Sequence, residues 1–311
     1  MTALEVALEF AIIVFVGILV VRIGLVGPDF RAQLARFVTN AALPCMISRS
    51  LYSQTERFEG MGRIFLLALL MLLLLFAAGQ ILFRIMGKTE TAASARFSLI
   101  YGNFTFMGFP IVESLYGATG LFAFTLFTMP VRLTFYTSPA FLLRPVGQAR
   151  GPFQWKTLGK QLLAPPVLAV FIGLILYALC WQPPLFLDKA VQALGGSSSM
   201  LGMLLVGMGM ADATPKTLWQ RRRVMSVVLI KAILCPLLLL GLFLLFPLDS
   251  TTKQALYLYG AVPVPSLLTA FSLNQGRSTE ACQDASAAVL LSTLLSVPIL
   301  PLWAALGAKL L

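Results

Sequence analysis

The chain has 311 residues, of which 59% are hydrophobic and 11% are charged, and its mean hydropathy is +0.89. Soluble domains are nearer half apolar and a quarter charged, so this composition excludes a water-soluble protein and predicts an integral membrane protein. The formal net charge is +11, but the basic residues lie in short loops beside apolar runs, without interleaved aromatic residues. That pattern argues against nucleic-acid binding and favours a membrane protein.

Apolar runs follow one another along the chain, each close to the roughly 20 residues that a membrane-spanning helix needs. The N-terminal run carries Glu5 and Glu9 and no small-residue cleavage site, so it predicts a retained span rather than a signal peptide. The ten predicted spans are Val6–Val26, Leu34–Leu51, Ile64–Met86, Phe97–Tyr116, Leu121–Leu143, Leu162–Trp181, Ala190–Ala211, Val224–Phe246, Ala255–Leu273 and Ala285–Leu306.

Lys and Arg in the loops predict the orientation of these spans, because cytoplasmic loops carry an excess of both. Fifteen lie in the loops that follow spans one, three, five, seven and nine, and six lie on the opposite face. Both termini are therefore predicted outside the cytoplasm. The compact loops suit a multi-pass protein of a bacterial inner membrane.

The fourth and ninth spans are both interrupted near their middles. The interrupting residues are Asn103, Gly108 and Pro110 in the fourth span and Pro263, Pro265, Ser266 and Asn274 in the ninth. A broken helix frees backbone groups, which are costly in hydrocarbon unless they line a wet cavity or meet a ligand. Interrupted spans at matching places in two halves indicate a secondary transporter built from inverted repeats.

This pattern predicts two repeats and their boundaries. Residues 1–145 form the first repeat with spans one to five, residues 146–160 a cytoplasmic connecting loop, and residues 161–311 the second repeat with spans six to ten. Because five is an odd number, the second repeat must enter the membrane from the opposite side. Similarity between the halves lies in the order of their spans rather than in individual residues.

Several short motifs resemble those of the auxin efflux carrier family. The stretch from Asn103 to Pro110 resembles the family's Asn…Gly-x-Pro motif, and residues 289–303 are similar to its final span. The other matching features are Ala42-Leu43-Pro44, Gly207, and Lys231 before Pro236. In one departure, many members carry Asn near the break of span nine, where this chain has Pro265 and Ser266.

The resemblance covers the whole chain and extends to the bacterial malonate- and malate-permease-like branch. It implies an all-α polytopic membrane protein with ten transmembrane helices in two inverted five-helix repeats. It also implies that helices four and nine cross as broken helices. The expected substrates are organic anions such as malonate, malate or auxin-like carboxylates.

The crossing is the predicted binding site. A half-helix that starts inside the membrane exposes uncapped N–H groups and the positive end of its dipole, where a carboxylate gains charge-assisted hydrogen bonds. Proline removes donors and so enforces a break. The residues predicted to contact substrate or satisfy freed backbone are Asn103, Thr105, Gly108, Pro110, Pro263, Pro265, Ser266, Thr269 and Asn274. The alternative is that the polar ones only cap loose backbone in kinked helices.

Further polar residues lie within apolar spans. By the resemblance, Asn40 in span two borders the crossing, where it lines the pocket or bonds a neighbouring helix. Arg132, near the centre of span five, costs at least ~2.5 kcal/mol to insert and needs a partner, either an anionic substrate or Glu113. Glu113 could carry a coupling proton. Lys231 lies within snorkelling reach of the cytoplasmic interface, as an anchor or a gating group.

The predicted function is secondary transport of mono- or dicarboxylates by alternating access, not an enzymatic reaction. The chain has no histidine, and its four cysteines lack metal-ligand or disulfide spacing. A sodium-coupled bile-acid-type symporter shares this architecture and is the alternative; an anion channel or a membrane enzyme fits less well. No cofactor or metal is predicted, coupling to a proton or sodium stays open, and so does assembly as a homodimer. The expected partners are the substrate anion and the lipid bilayer.

Overall fold

The computed structural model describes residues 3–53, 60–145, 163–211 and 221–311. Within those ranges every regular element is helical. The predicted connecting loop 146–160 lies outside the described residues. The all-α prediction is confirmed for the part of the chain that the structure describes.

The helices follow the predicted apolar runs closely, and the main differences are at their ends. The elements are α1 Ala3–Arg22, α2 Pro28–Phe37, the π-helical segment π1 Val38–Ala42, α3 Leu43–Tyr52, α4 Met61–Ile85, α5 Glu90–Ile100, the π-helical segment π2 Phe104–Gly108, α6 Phe109–Thr137, α7 Pro139–Leu142, α8 Pro165–Ala178, α9 Leu185–Met210, α10 Arg222–Leu244, α11 Ser250–Ala261, α12 Leu268–Asn274 and α13 Thr279–Leu310. Span two therefore begins at Pro28, because proline favours the first turn of a helix.

Two spans contain a π-helical segment just before a proline. In π1 the N–H of Leu43 donates to the carbonyl of Val38, and in π2 the N–H of Phe109 donates to that of Phe104. Each bond spans five residues instead of four, which widens the helix, and such segments occur frequently at functional sites. Both segments pack against α9. The sequence analysis did not predict either π-helical segment.

The break of the fourth span lies earlier than predicted. The non-helical residues are 101–103, whereas Gly108 ends π2 and Pro110 lies in the first turn of α6. Because π2 continues directly into α6, Pro110 lies about two turns after the helix resumes at Phe104, where proline lacks the N–H that would donate to the preceding turn. The ninth span is interrupted between Ala261 and Leu268, a stretch that contains both predicted prolines.

Spans four and five form a tight helical hairpin instead of two helices with a separate loop. The chain reverses at Gly117, whose φ of 61° and ψ of −157° lie outside helical geometry. On either side of this turn the rings of Phe109 and Phe124 pack 5.4 Å apart. The positive φ suits glycine, which has no Cβ to clash. As a consequence, span five faces the π2 segment of span four.

Large apolar side chains cover much of the outer surface. Among the described residues, five segments are long and apolar enough to cross a membrane by length and composition, namely α4, Glu90–Thr137, α9, α10 and α13. Leu73 and Ile81 on α4, and Ile233 and Leu237 on α10, are exposed, as expected for helices that face lipid. Since lipid tails are as apolar as these side chains, such a surface is stable only in a bilayer.

Glycine lets α1 and α9 approach closely. A Cβ built on Gly207 would lie 2.0 Å from the carbonyl oxygen of Val14 and 3.0 Å from the Cα of Gly17. Small residues at such contacts are how membrane helices gain van der Waals packing, because no hydrophobic driving force acts between them in lipid. The two helices pack along one another.

Replacing Gly207 with alanine should separate these helices. The new methyl group would meet backbone atoms, which cannot rotate away, so we expect a loss of about 1–3 kcal/mol. Gly241→Ala is the control, because nothing lies within 4 Å of a Cβ at that position on α10. Thermal unfolding in detergent measures both. If Gly207→Ala and Gly241→Ala have the same melting temperature as the unchanged protein, the close contact is not structurally required.

Candidate functional site

The breaks of spans four and nine meet in the interior. The backbone N–H of Asn103 donates to the carbonyl oxygen of Pro263 over 2.8 Å. Gly102 makes this approach possible, since a Cβ there would lie 2.3 Å from Cγ2 of Val262. The expectation that the two interrupted segments approach each other therefore holds for these residues, at the non-helical backbone itself.

Side chains from the second half of the chain cap the end of α5. A helix end leaves its last carbonyls without intrahelical donors, and in a buried position each needs a partner. The donors are Cys235 Sγ to Leu99 O at 3.0 Å, the Tyr259 hydroxyl to Ile100 O at 3.0 Å, and Lys231 Nζ to Tyr101 O at 3.3 Å. The freed carbonyls of the fourth span are thus bound by α10 and α11.

Lys231 lies at the break and does not snorkel to the interface. Its side chain is only 3% exposed. The sequence-based interpretation as an interfacial anchor was wrong, because the ammonium group finds an acceptor at Tyr101 inside the protein. Burying the ammonium group costs free energy, and the hydrogen bond to the freed carbonyl offsets part of that cost.

Asn103 caps the helix that resumes after the break. Its Oδ1 accepts from the N–H of Phe106 at 3.3 Å, and its backbone oxygen accepts from Met107 and Gly108. Its Nδ2 is buried and has no hydrogen-bond partner among the described residues. Asn103 therefore caps the backbone with its oxygen, as one alternative predicted, and leaves an amide donor free for a ligand.

Arg132 is the largest buried polar side chain of the site. It is 1% exposed, and none of its guanidinium nitrogens has a hydrogen-bond partner in the part of the chain that the structure describes. Its guanidinium carbon lies 5.4 Å and 5.3 Å from the ring centroids of Phe104 and Phe109. The suggested ion pair with Glu113 does not form, since Glu113 is exposed and Arg132 is enclosed by these aromatic rings.

A cavity of about 340 Å³ lies on the other side of π2. Four residues with hydroxyl groups line it, Thr39, Ser266, Thr269 and Ser286, and the hydroxyl oxygens of Thr269 and Ser286 are 3.2 Å apart. The lining residues are Ala35, Thr39, Phe106, Leu205, Val206, Gly209, Met210, Ser266, Leu267, Thr269, Ser286, Val289 and Leu290. It therefore lies between π1, π2, α9, the break of span nine and α13.

Only some of the predicted residues reach this cavity. Ser266 and Thr269 line it, whereas Asn40 and Asn274 are exposed elsewhere and do not. Thr39 takes the place expected for Asn40, because adjacent helical residues point about 100° apart. The sequence analysis missed Thr39 and Ser286, whose single hydroxyl groups in apolar runs are a weak signal.

Buried positive charge distinguishes the interior. Arg96, Arg132, Lys231 and Arg277 are buried, and no carboxylate of the described residues is buried to the same degree. Arg96 donates from its terminal nitrogens to Gln80 and to a backbone carbonyl, and Arg277 donates to two serines, so both bind neutral acceptors. The buried Nε of each has no hydrogen-bond partner among the described residues. In the loop before α13, burial lowers the pKa of Arg277 and the charge of Glu90 opposes that shift.

Ion pairs tie the helices together at each end of the bundle. At one end, Arg49 forms two hydrogen bonds of 3.0 and 3.1 Å with Asp188, which also accepts from the hydroxyl of Tyr52 at 2.9 Å. At the other end, Arg221 pairs with Asp284. The described residues contain no group of three or more His, Cys, Asp or Glu side chains that could hold a metal ion.

The cavity should admit small water-soluble reagents. In a chain whose four cysteines are replaced by serine or alanine, we expect Thr39→Cys and Ser266→Cys to react with a methanethiosulfonate reagent in detergent. Thr125→Cys is the control, because Thr125 is 1% exposed and lies outside the cavity. Mass spectrometry measures the extent of modification. Equal protection at all three positions would show that the cavity is closed to solvent.

Comparison with known proteins extends over almost the whole chain. A model of the membrane transport protein family matches residues 2–304. The chain is also similar to an uncharacterized transporter from Methanothermobacter thermautotrophicus, with 22% identity over 310 residues that cover 97% of this chain and 98% of the relative. Both matches include the two breaks and the helices that surround them.

Proposed function

We propose that this chain is a secondary transporter of small organic anions. It belongs to the membrane transport protein family, which is the family of the auxin efflux carriers. The observation that carries the proposal is Arg132, a fully buried cation beside π2 whose guanidinium nitrogens have no hydrogen-bond acceptor among the described residues. The substrates we propose are mono- and dicarboxylates.

Magnitudes favour an anion at this place. Two cation–π contacts with a desolvated guanidinium contribute roughly 2 kcal/mol or more each. Burying a charge costs several kcal/mol after relaxation, and each buried donor without an acceptor adds about 1–3 kcal/mol. The aromatic rings of Phe104 and Phe109 therefore compensate only part of the cost. A carboxylate that accepts from Asn103 Nδ2 and lies in the field of Arg132 would supply the rest.

The packing of the helices supports two inverted repeats, residues 1–145 and 161–311. The first span of each half packs on the second span of the other, α1 on α9 and α8 on α3. The third and fifth spans of each half also pack together, α4 on α6 and α10 on α13. A twofold axis in the membrane plane would generate both sets of contacts, and rocking of one repeat against the other would give alternating access.

The proposed orientation places the cavity on the cytoplasmic side. Its lining includes Met210, at the end of α9 before the loop with Lys216, Arg221, Arg222 and Arg223, and Ser286, near the start of α13 after the loop with Arg277. The bonds of Asp188 with Arg49 and Tyr52 then lie on the outer side. We propose that the structure represents an inward-facing form in an inner membrane, with both termini outside the cytoplasm.

Sodium-coupled symport is the second candidate function, because it shares the broken-helix architecture. Buried cations without buried carboxylates oppose a further positive charge at the crossing, so the electrostatics favour the anion carrier. A channel would use a symmetric ring of groups to select ions, whereas the meeting of two breaks in one chain suits a carrier. The family consists of transporters, which is consistent with a protein that is not an enzyme.

The native Cys180 tests the orientation. It is exposed just after α8, in a loop predicted to lie outside the cytoplasm. A membrane-impermeant maleimide should label it in spheroplasts, and Cys180→Ser should abolish that labelling. In the Cys180→Ser background, a cysteine in place of Arg223 should be labelled only after permeabilisation. Labelling of the second cysteine but not the first in intact spheroplasts would reverse the topology.

The anion site is tested by paired substitutions at Asn103 and Arg132. A hydrogen bond to a charged group is worth ~1.5–3 kcal/mol, so Asn103→Ala should weaken binding by roughly ten- to a hundredfold. Arg132→Met should weaken it through loss of the local potential. Asn274→Ala, which removes an exposed amide, is the control. Uptake of radiolabelled malate into proteoliposomes and thermal shifts with mono- and dicarboxylates measure all three.

The pattern of lost uptake among these variants distinguishes an anion bound at the helix start from one bound at the Arg132 guanidinium. Full uptake with Asn103→Ala and none with Arg132→Met would place the anion on the guanidinium instead of the helix start. No loss with either variant would contradict the proposed site. Sodium-dependent uptake by the unchanged protein would favour the symporter.

A further inference from the structure

Lys231 has surroundings that its capping role alone does not explain. Of the side chains that bind the end of α5, it is the charged one, and its ammonium group bonds the last carbonyl before the break, that of Tyr101. Cys235 and Tyr259 bind the two preceding carbonyls without any charge. A neutral donor would therefore satisfy the backbone here, and the positive charge calls for a separate reason.

The charge of Lys231 is balanced by dipoles and not by an acid. No salt bridge of the described residues includes it, and no carboxylate there is comparably buried. The C-terminal end of a helix carries a partial negative charge of about half an electron, which falls off within the last turn. The ammonium group lies at that end of α5, so a positive charge is favoured at this point whatever molecule supplies it.

Oxygen atoms also face the space beside Lys231. A cavity of about 10 Å³ adjoins it and is lined by Pro263, Ser292 and Ser296 among others. The Ser292 hydroxyl accepts from the N–H of Val264, a residue in the break of span nine. Lys231 therefore lies between groups of that break and Tyr101, which lies in the break of span four. Freed carbonyls and half-helix C-terminal ends at such crossings are where transporters coordinate a coupling cation.

We propose that the Lys231 ammonium is a tethered counter-ion that occupies the place of a coupling cation at the crossing. This inference rests on the proposed transport function, but it concerns a different position from the anion site. The lysine supplies the positive charge permanently, so uptake needs no alkali cation. Its removal exposes a site that accepts a small monovalent cation, either sodium or an alkylammonium ion.

The test uses Lys231→Ala, which removes the equivalent of propylammonium. Uptake is measured with N-methylglucamine as the only cation, and then with added sodium or propylammonium. We expect the unchanged protein to be insensitive and Lys231→Ala to lose roughly tenfold or more, as for a lost charged hydrogen bond. Either cation should restore uptake in the variant, whereas propanol, the uncharged analogue, should not. Tyr259→Phe is the matched control, because it removes a neutral cap from the same helix end.

A second measurement does not depend on transport. The melting temperature of purified Lys231→Ala should rise with added propylammonium or sodium, and that of the unchanged protein and of Tyr259→Phe should not. Lys231→Gln, which can still donate to Tyr101, provides the same comparison if the alanine variant does not fold. Sodium-dependent uptake by the unchanged protein would overturn the proposal. A folded Lys231→Ala variant whose melting temperature does not change with either cation would also overturn the proposal. If the unchanged protein takes up no anion, only the proposed function fails, because the melting comparison stands by itself.

Discussion

Backbone groups freed by two interrupted helices are the constraint on which the interior depends. In a medium without water each unbonded N–H or C=O costs several kcal/mol, so a break is tolerated only where partners surround it. Here each break supplies partners to the other. Asn103 donates to Pro263, and side chains from α10 and α11 bind the carbonyls at the end of α5. The two halves are therefore held together at the place where each is weakest.

The same arrangement gives the interior its charge. Capping the end of α5 brings Lys231 inward, and the tight hairpin at Gly117 turns Arg132 toward π2. Both cations are buried, and no carboxylate of the described residues is buried to the same degree, so the charged groups buried near the crossing are positive. Arg132 lies near the start of a resumed helix and Lys231 at the end of an interrupted one. A negative ligand suits the first place, and a positive group already occupies the second.

The positions of the breaks were predictable from residue types, but the faces of the helices were not. Proline, glycine and asparagine within long apolar runs located both interruptions within about a turn, because their backbone preferences act locally. Asn40 was predicted at the pocket, yet its neighbour Thr39 lines the cavity. The π-helical segment shifts the register by one residue, and apolar runs without a polar face contain no signal for such a shift.

Composition and order along the chain by themselves determined a helical membrane protein with interrupted fourth and ninth spans. These properties follow from hydrophobicity and backbone chemistry, which each residue carries with it. Only the tertiary structure decided the surroundings of Lys231 and Arg132. The sequence placed Lys231 at an interface and gave Arg132 either an anionic substrate or Glu113 as its partner. A long side chain on an apolar helix can reach in several directions. The free carbonyl of Tyr101 and the rings of Phe104 and Phe109 select one direction, and they do so only once the helices have packed.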